Sequence, residues 1–393
     1  MYDPAAHHVA NPAFLWPAFA AAAVSEMAAF AAKQFTSLAV GQDKDTIQLR
    51  QQWATPHKLA LELETVQLRD FSAAPSAPGR RDAGGCVPAL VCAPLALHGA
   101  AIADLADGHS LVAALRDAGL MRLFLTDWRS ATAEMQFLGI DNYLADLNVL
   151  VDQIGPPIDL IGLCQGGWMA LIYAARFPAK VRKLVLAAAP VDIAAAASPL
   201  SSLAAASPLA MFQELVRLGD GRMPGRQVQR FWGPEAVEAE LIGPLLQTEH
   251  DRGSPAFAEL ETAFRDWHSW TLDLPGRFFL EVVEKLYKRN ELATGSLTAL
   301  GQRIELGTVK VPIFLLAAGE DELVAPPQLF AVEDLVGTEP DNLRKAVAPC
   351  RHVGLFVGKR ILQNAWLDIA HWLAQPPHLN STRASAPLRA HAQ

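Results

Sequence analysis

The strongest chemical signal in this chain lies between Ile158 and Gly167. An apolar run ends in Gly162-Leu163-Cys164-Gln165-Gly166-Gly167, and a helical pattern begins directly afterwards. A strand, Gly-x-Cys-x-Gly-Gly and a helix form the pattern of a nucleophile elbow, with cysteine in the position that serine usually holds. The glycines permit a sharp turn, and the helix N-terminus favours thiolate over thiol. The pattern predicts a nucleophilic Cys164; the alternative is a structural cysteine buried in a glycine-rich turn.

An acid and a histidine follow the elbow in the chain order that such a nucleophile requires. Asp321 lies in the loop after an apolar strand, and His352 lies later, two residues before a glycine. We expect His352 to take the proton of Cys164 and Asp321 to fix the tautomer of the imidazole. Glu320 and Glu322 are rivals for the acid role, but the position of Asp321 in the pattern favours it.

An oxyanion hole needs one backbone N–H directly after the nucleophile and another from the loop after an earlier strand. Gln165 supplies the first, and we expect the second near Leu95 and Ala96, because this loop follows the strand that ends at Ala93. Three further side chains are predicted to contact substrate, although residues of these types are also typical of a core: His98, Trp168 and Trp267.

Short strands that are apolar on both faces alternate with helical stretches from residue 86 onwards, which indicates a parallel sheet covered on each side. The predicted fold is therefore a doubly wound α/β core. Before it, residues 59–69 alternate apolar and polar side chains and predict one antiparallel strand. The predicted core strands are 88–93, 120–126, 158–163, 184–188 and 311–317, with helices at 141–154 and 168–177.

The strand rhythm is lost between residues 192 and 290 and resumes afterwards, which predicts a helical cap inserted into one core. The core then comprises residues 59–191, with the elbow, and 291–374, with the acid and the histidine. Residues 1–58 are predicted to form a helical arm that packs on its own protein; docking of this arm on a hydrophobic surface is the alternative. Residues 375–393 are expected to be a disordered tail.

Composition excludes several classes of function. The chain has 393 residues, of which 51% are hydrophobic, and its net charge of −8 argues against nucleic acid and anionic membranes as partners. Four scattered cysteines do not suit a disulfide framework or a zinc site, so we expect no metal and a reducing cytoplasmic location. The apolar stretch 13–35 is interrupted by proline and charged residues, so we expect no membrane span there. No lysine or arginine precedes the stretch, so we expect no export signal.

Several motifs together resemble the polyhydroxyalkanoate synthases over residues 89–373. They are Gly-Leu-Cys-Gln-Gly-Gly, Leu286-Tyr-Lys-Arg-Asn290, Asp321-x-Leu-Val-x-Pro-Pro and His352-Val-Gly354. The resemblance implies an α/β-hydrolase fold in which Cys164, Asp321 and His352 are nucleophile, acid and base. It also implies transfer of hydroxyacyl groups from coenzyme A thioesters to a polyester, without a prosthetic group. A homodimer, a partner subunit and association with polyester granules are implied as well.

Two departures leave the direction of the reaction open. Glu322 stands where the synthases usually carry histidine, and Ala325 replaces a common valine. The stretch 267–287 also resembles intracellular polyester depolymerases of the same superfamily. The alternative function is therefore a cytoplasmic esterase, thioesterase or depolymerase with a cysteine nucleophile. A third hypothesis is a granule-binding protein without catalytic activity. The three catalytic candidates in the expected order argue against it, because a binding protein does not need them.

Overall fold

A computed structural model describes residues 52–73, 87–226 and 254–375 of the chain. The predicted N-terminal arm lies outside the described residues as far as residue 51, and the predicted tail does so from residue 376. Both therefore stay predictions. The described residues include every catalytic candidate.

An eight-stranded sheet forms the centre of the fold, in the order β1-β2-β4-β3-β5-β6-β7-β8. Strands β3 to β8 run parallel to one another, whereas β2 is antiparallel to both β1 and β4. The central parallel strands are buried along their length, which explains their continuous apolar sequences. The strands are β1 (Lys58–Glu62), β2 (Val66–Asp70), β3 (Ala89–Cys92), β4 (Leu123–Trp128), β5 (Ile158–Leu163), β6 (Val181–Ala187), β7 (Ile313–Ala318) and β8 (Leu343–Ala348).

The structure corrects the prediction of one strand over residues 59–69. The segment is a hairpin of β1 and β2, closed by a hydrogen bond from the Leu63 N–H to the Val66 carbonyl at 2.9 Å. The apolar residues are spaced by two up to Leu63, but the next one, Val66, follows after three. In a single strand, the apolar residues before this three-residue step and those after it would point to opposite faces. The chain turns here instead.

Helices cover both faces of the sheet, because the chain moves from β3 to β4 in one direction and from β5 to β8 in the other. This confirms the predicted doubly wound, mostly parallel α/β core. The reversal lies between β3 and β5, which is where such sheets open a crevice for ligands. The helices are α1 (Leu111–Asp117), α2 (Ile140–Ile154), α3 (Gln165–Arg176), α4 (Pro199–Ala206), α5 (Leu209–Leu218), α6 (Pro255–Ser269), α7 (Gly276–Glu281), α8 (Pro326–Phe330), α9 (Val332–Leu335), α10 (Gly354–Val357), α11 (Lys359–Gln363) and α12 (Ala365–Ala374).

The predicted cap contains α4 to α7 and a π-helical turn, Val282–Lys288, among the residues that are described. Its two predicted ends meet: the Asn290 Nδ2 group donates to Asp192 Oδ1 at 2.7 Å, and the Ile193 N–H donates to Asn290 Oδ1 at 3.1 Å. Asn290 has a φ of 49°, a left-handed conformation that asparagine tolerates better than most residues. The structure thus joins the two ends through one side chain, while the division into core and cap stays a prediction.

Candidate active site

Cys164 lies in the turn between β5 and α3, at the carboxyl edge of the sheet. Its φ is 48° and its ψ is −117°, a strained conformation for a residue with a side chain. The Cys164 N–H donates to the Ala187 carbonyl of β6 at 2.9 Å, which fixes the turn against the sheet. Cys164 is only partly buried and stands directly before the first residue of α3.

The glycines of the elbow allow helix α3 to approach the sheet closely. A Cβ atom on Gly166 would lie 2.2 Å from the carbonyl oxygen of Cys92, and one on Gly162 would lie 2.5 Å from the Cα of Gly167. A Cβ on Gly167 would meet the Cβ of Ala189 at 2.3 Å. No side chain larger than hydrogen fits at these points, so the spacing of the glycines follows from the packing of strand and helix.

Asp321 and His352 meet at the same edge of the sheet. The His352 Nδ1–H group donates to Asp321 Oδ2 at 2.8 Å and to Oδ1 at 2.9 Å. The Asp321 side chain is fully buried, and its Oδ1 also accepts the N–H groups of Leu323 and Val324, at 2.9 and 2.8 Å. These backbone donors hold the carboxylate in place and compensate for its burial.

Neither neighbouring glutamate takes this position. Glu320 is exposed and is held through its backbone, by a hydrogen bond from its N–H to the Cys350 carbonyl at 3.0 Å. Glu322 Oε2 accepts the backbone N–H of His352 at 3.3 Å. Its Oε1 is buried and has no hydrogen-bond partner among the described residues. Asp321 is therefore the carboxylate that orients the imidazole ring.

The imidazole of His352 hydrogen-bonds the side chain of Cys164 as well as that of Asp321. Burial lowers the pKa of His352, but the negative charges of Cys164 and Asp321, and hydrogen bonds to both side chains, outweigh it and raise the pKa well above 6.5. The two other cysteines in the described ranges differ. Burial raises the pKa of the Cys92 thiol to about 12, and burial with the nearby carboxylates raises that of Cys350 to about 12. Both thiols stay protonated, so neither of these two cysteines is suited to nucleophilic attack.

One predicted oxyanion donor, Gln165, is the first residue of α3. Gly166 lies against the carbonyl groups of Cys92 and Ala93 at the end of β3, and Leu95 and Ala96 follow in the next loop. Within the described ranges, no acceptor is found for the N–H groups of Leu95, Ala96 or Gln165. The N–H groups in the first turn of a helix have no partner inside the helix. These groups are free to bind an oxygen, and their role stays a prediction.

His98 and Trp267, two of the predicted substrate contacts, pack on each other. Their ring centroids are 4.7 Å apart, and the Trp267 Nε1–H donates to the Gly99 carbonyl at 2.9 Å. Burial and the charge of His268 lower the pKa of His98 to about 3, so the ring stays neutral. The structure thus uses both residues to join α6 to the loop after β3, and a contact with substrate stays a prediction.

Trp168, the third predicted contact, is fully buried under the elbow. Its ring stacks on Phe278 at 6.3 Å between centroids, and its Nε1–H donates to Gln165 Oε1 at 2.6 Å. The amide of Gln165 in turn donates to the hydroxyl of Tyr287 at 2.7 Å. Sequence reasoning gave Tyr287 no role, although it stands in one of the motifs that carry the resemblance.

The described residues contain neither a group of side chains suited to a metal ion nor a helix suited to span a membrane. Nowhere in residues 52–73, 87–226 and 254–375 do three or more His, Cys, Asp or Glu side chains form a group suited to a metal ion. In the same ranges, every helix is too short or too polar to cross a bilayer. The expected absence of a metal and of a cofactor stays a prediction.

Comparison with known proteins identifies sequence relatives. The profile of the α/β-hydrolase fold family matches residues 122–359, more than half of the chain. The poly(3-hydroxyalkanoate) polymerase subunit PhaC of Synechocystis sp. is 29% identical over 289 residues, which are 69% of this chain and 74% of that protein. The subunit of Haloferax mediterranei is 25% identical over 70% of this chain and 56% of that protein. The subunit of Allochromatium vinosum is 24% identical over 69% of this chain and 76% of that protein.

Solved structures agree on the fold. An epoxide hydrolase mutant from Bacillus megaterium superposes with a TM-score of 0.50 at 13% identity, covering 81% of this chain and 99% of that one. This likeness concerns the fold alone. Together with the family profile it confirms the predicted fold class, and the polymerase subunits confirm the predicted resemblance to the polyhydroxyalkanoate synthases.

Proposed function

Because the chain belongs to the α/β-hydrolase fold family, and its curated relatives are polyhydroxyalkanoate polymerase subunits, we propose that it is an acyltransferase of the polyhydroxyalkanoate synthase type. It transfers hydroxyacyl groups from coenzyme A thioesters through an acyl-cysteine at Cys164. The observation that carries this proposal is the buried Asp321–His352 pair, whose imidazole also hydrogen-bonds the cysteine of the elbow.

The proposed reaction has two acyl transfers. The thiolate of Cys164 attacks the thioester carbonyl, the carbon–sulfur bond to coenzyme A breaks, and His352 gives its proton to the leaving thiolate. In the second transfer His352 takes the proton from the hydroxyl group of a growing chain. That oxygen attacks the acyl-cysteine, an ester forms, and Cys164 is released as thiolate. The first step exchanges one thioester for another, so its equilibrium is nearly balanced.

The arrangement of the side chains supports this proposal. Asp321 keeps the proton on Nδ1 of His352, which leaves the other nitrogen for Cys164 and the substrate. Free N–H groups around Gln165 are available for the negative oxygen of each tetrahedral intermediate. No step calls for a metal or a prosthetic group.

The test is an assay with purified protein and 3-hydroxybutyryl-coenzyme A, in which thiol release is followed and the product is analysed. We expect release of coenzyme A with formation of insoluble polyester, and loss of both in Cys164→Ala and His352→Gln. Cys350→Ser is the matched control, because this thiol is held protonated and should leave the rate unchanged. Thiol release with only monomeric hydroxy acid would show a hydrolase instead, and release that survives Cys164→Ala would refute the acyl-cysteine.

Assembly and location are part of the proposal. Since the curated relatives are named as subunits, we propose that the chain acts as a homodimer or with a second subunit, in the cytoplasm at polyester granules. Light scattering during gel filtration measures the assembly state. Granules isolated by density centrifugation test the location, because a chain that stays in the supernatant would contradict granule association.

A further inference from the structure

Trp168, Gln165 and Tyr287 form a chain of hydrogen bonds directly beside Cys164. An indole N–H is only a donor, so the Trp168 Nε1–H must point at an oxygen, which is Oε1 of Gln165. This fixes the orientation of the Gln165 amide and turns its NH₂ group towards the Tyr287 hydroxyl, 2.7 Å away. The amide therefore donates to the phenol oxygen.

A phenol oxygen that accepts from Gln165 must direct its own proton elsewhere. Among the residues that the structure describes, no protein atom accepts the Tyr287 proton; its sole hydrogen bond there is the one from Gln165. The residue as a whole is only partly buried. Tyr287 thus presents a free donor next to the residue that follows the nucleophile.

The backbone around Tyr287 is held firmly. It lies in the π-helical turn Val282–Lys288, a kind of irregular turn that often occurs at functional sites. The next residue, Lys288, donates through Nζ to the carbonyls of Ala204 and Ser207, at 2.8 and 2.5 Å, at the end of α4. Burial and the negative charge of Cys164 raise the pKa of Tyr287, so the phenol keeps its proton in the working pH range. The hydroxyl remains a donor in a fixed place.

We propose that the Tyr287 hydroxyl donates a hydrogen bond to the carbonyl oxygen of the acyl group at Cys164, with Trp168 and Gln165 as the positioning residues that aim its proton. The inference rests on the proposed function. In the tetrahedral intermediate this oxygen is negatively charged, and a phenol held in advance strengthens its bond as the charge develops. Tyr287 thereby adds a side-chain donor to the backbone N–H groups of Gln165 and the loop after β3.

The test compares Tyr287→Phe with Trp168→Phe and the double variant. Tyr287→Phe should lower kcat about a hundredfold and leave KM unchanged, because it removes a bond made in the transition state. Trp168→Phe frees the Gln165 amide to rotate and accept the phenol proton, so kcat should fall although Tyr287 is still present. In the Tyr287→Phe background Trp168→Phe should have little further effect, since both changes remove the same donor.

Tyr173→Phe is the matched control, because this hydroxyl lies eight residues after Gln165 in α3 and donates to Asn148 Oδ1 of α2 at 3.1 Å; the variant should keep wild-type kcat. The rate at which iodoacetamide alkylates Cys164 shows whether a variant disturbs the structure around the nucleophile. This rate should not change in Tyr287→Phe. Wild-type kcat in Tyr287→Phe would overturn the proposal, as would equal losses of kcat and alkylation rate. Fully additive effects of the two aromatic variants would overturn the role of Trp168 and Gln165.

Two substrates separate this proposal from the proposed function. Both 3-hydroxybutyryl-coenzyme A and p-nitrophenyl butyrate deliver an acyl carbonyl to Cys164. Cleavage of the ester without thiol release would refute the synthase function, while the loss in Tyr287→Phe would still be measurable and would support Tyr287. Wild-type protein that acylates Cys164 from neither substrate would overturn both proposals.

Discussion

Replacement of Gly166 by alanine is expected to displace the nucleophile without touching any catalytic group. The new Cβ would lie 2.2 Å from the Cys92 oxygen and 2.6 Å from the Ala93 oxygen, both of them backbone atoms in a fully buried strand end. A carbon–oxygen contact needs about 3.3 Å, so the start of α3 must move by about 1 Å. A displacement of that size at a reacting group lowers the rate about a hundredfold. Overpacking of a core lowers the free energy of unfolding by about 1–3 kcal/mol.

The assay for Gly166→Ala measures kcat with a thioester substrate, the alkylation rate of Cys164 and the urea midpoint. The matched control is Gly307→Ala, at an exposed glycine where a Cβ would meet no atom within 4 Å. The control should be indistinguishable from wild type in all three measurements. Wild-type kcat and midpoint in Gly166→Ala would refute the view that close packing of strand and helix positions Cys164.

Three further predictions follow from the geometry of the site. Asp321→Asn should lower kcat by about 10³–10⁴ with little change in KM, whereas the exposed Glu320→Gln should keep the wild-type rate; steady-state kinetics decides. Because the folded protein raises the pKa of His352 above 6.5, its charged form stabilises the fold below pH 6.5, and this contribution is lost as the pH rises through the folded pKa. His352→Gln should therefore lower the free energy of unfolding more at acidic than at alkaline pH; a difference independent of pH in urea titrations would contradict this. Asn290→Ala, which breaks the bond to Asp192, should cost about 1–3 kcal/mol of unfolding free energy, and an unchanged urea midpoint would refute it.

Much of the α/β core could be predicted because its signals are local. Continuous apolar runs report strands that are buried on both faces, and spacings of three and four report helices such as α2. The prediction failed for the segment of β1 and β2. There the spacing of the apolar residues changes from two to three between Leu63 and Val66. Only the antiparallel pairing of the two strands shows that this change is a turn.

The sequence by itself determined the identity of the candidate nucleophile and the order of its partners. The glycines around Cys164 are required by backbone approach within a few residues, so their spacing is readable without a fold. The tertiary structure decided which acid reaches His352 and which side chains surround Cys164. The pairs that make these choices are 31 residues apart for Asp321 and His352, and 122 apart for Gln165 and Tyr287. Such contacts depend on which strand ends and cap helices meet in space, and no local pattern records that.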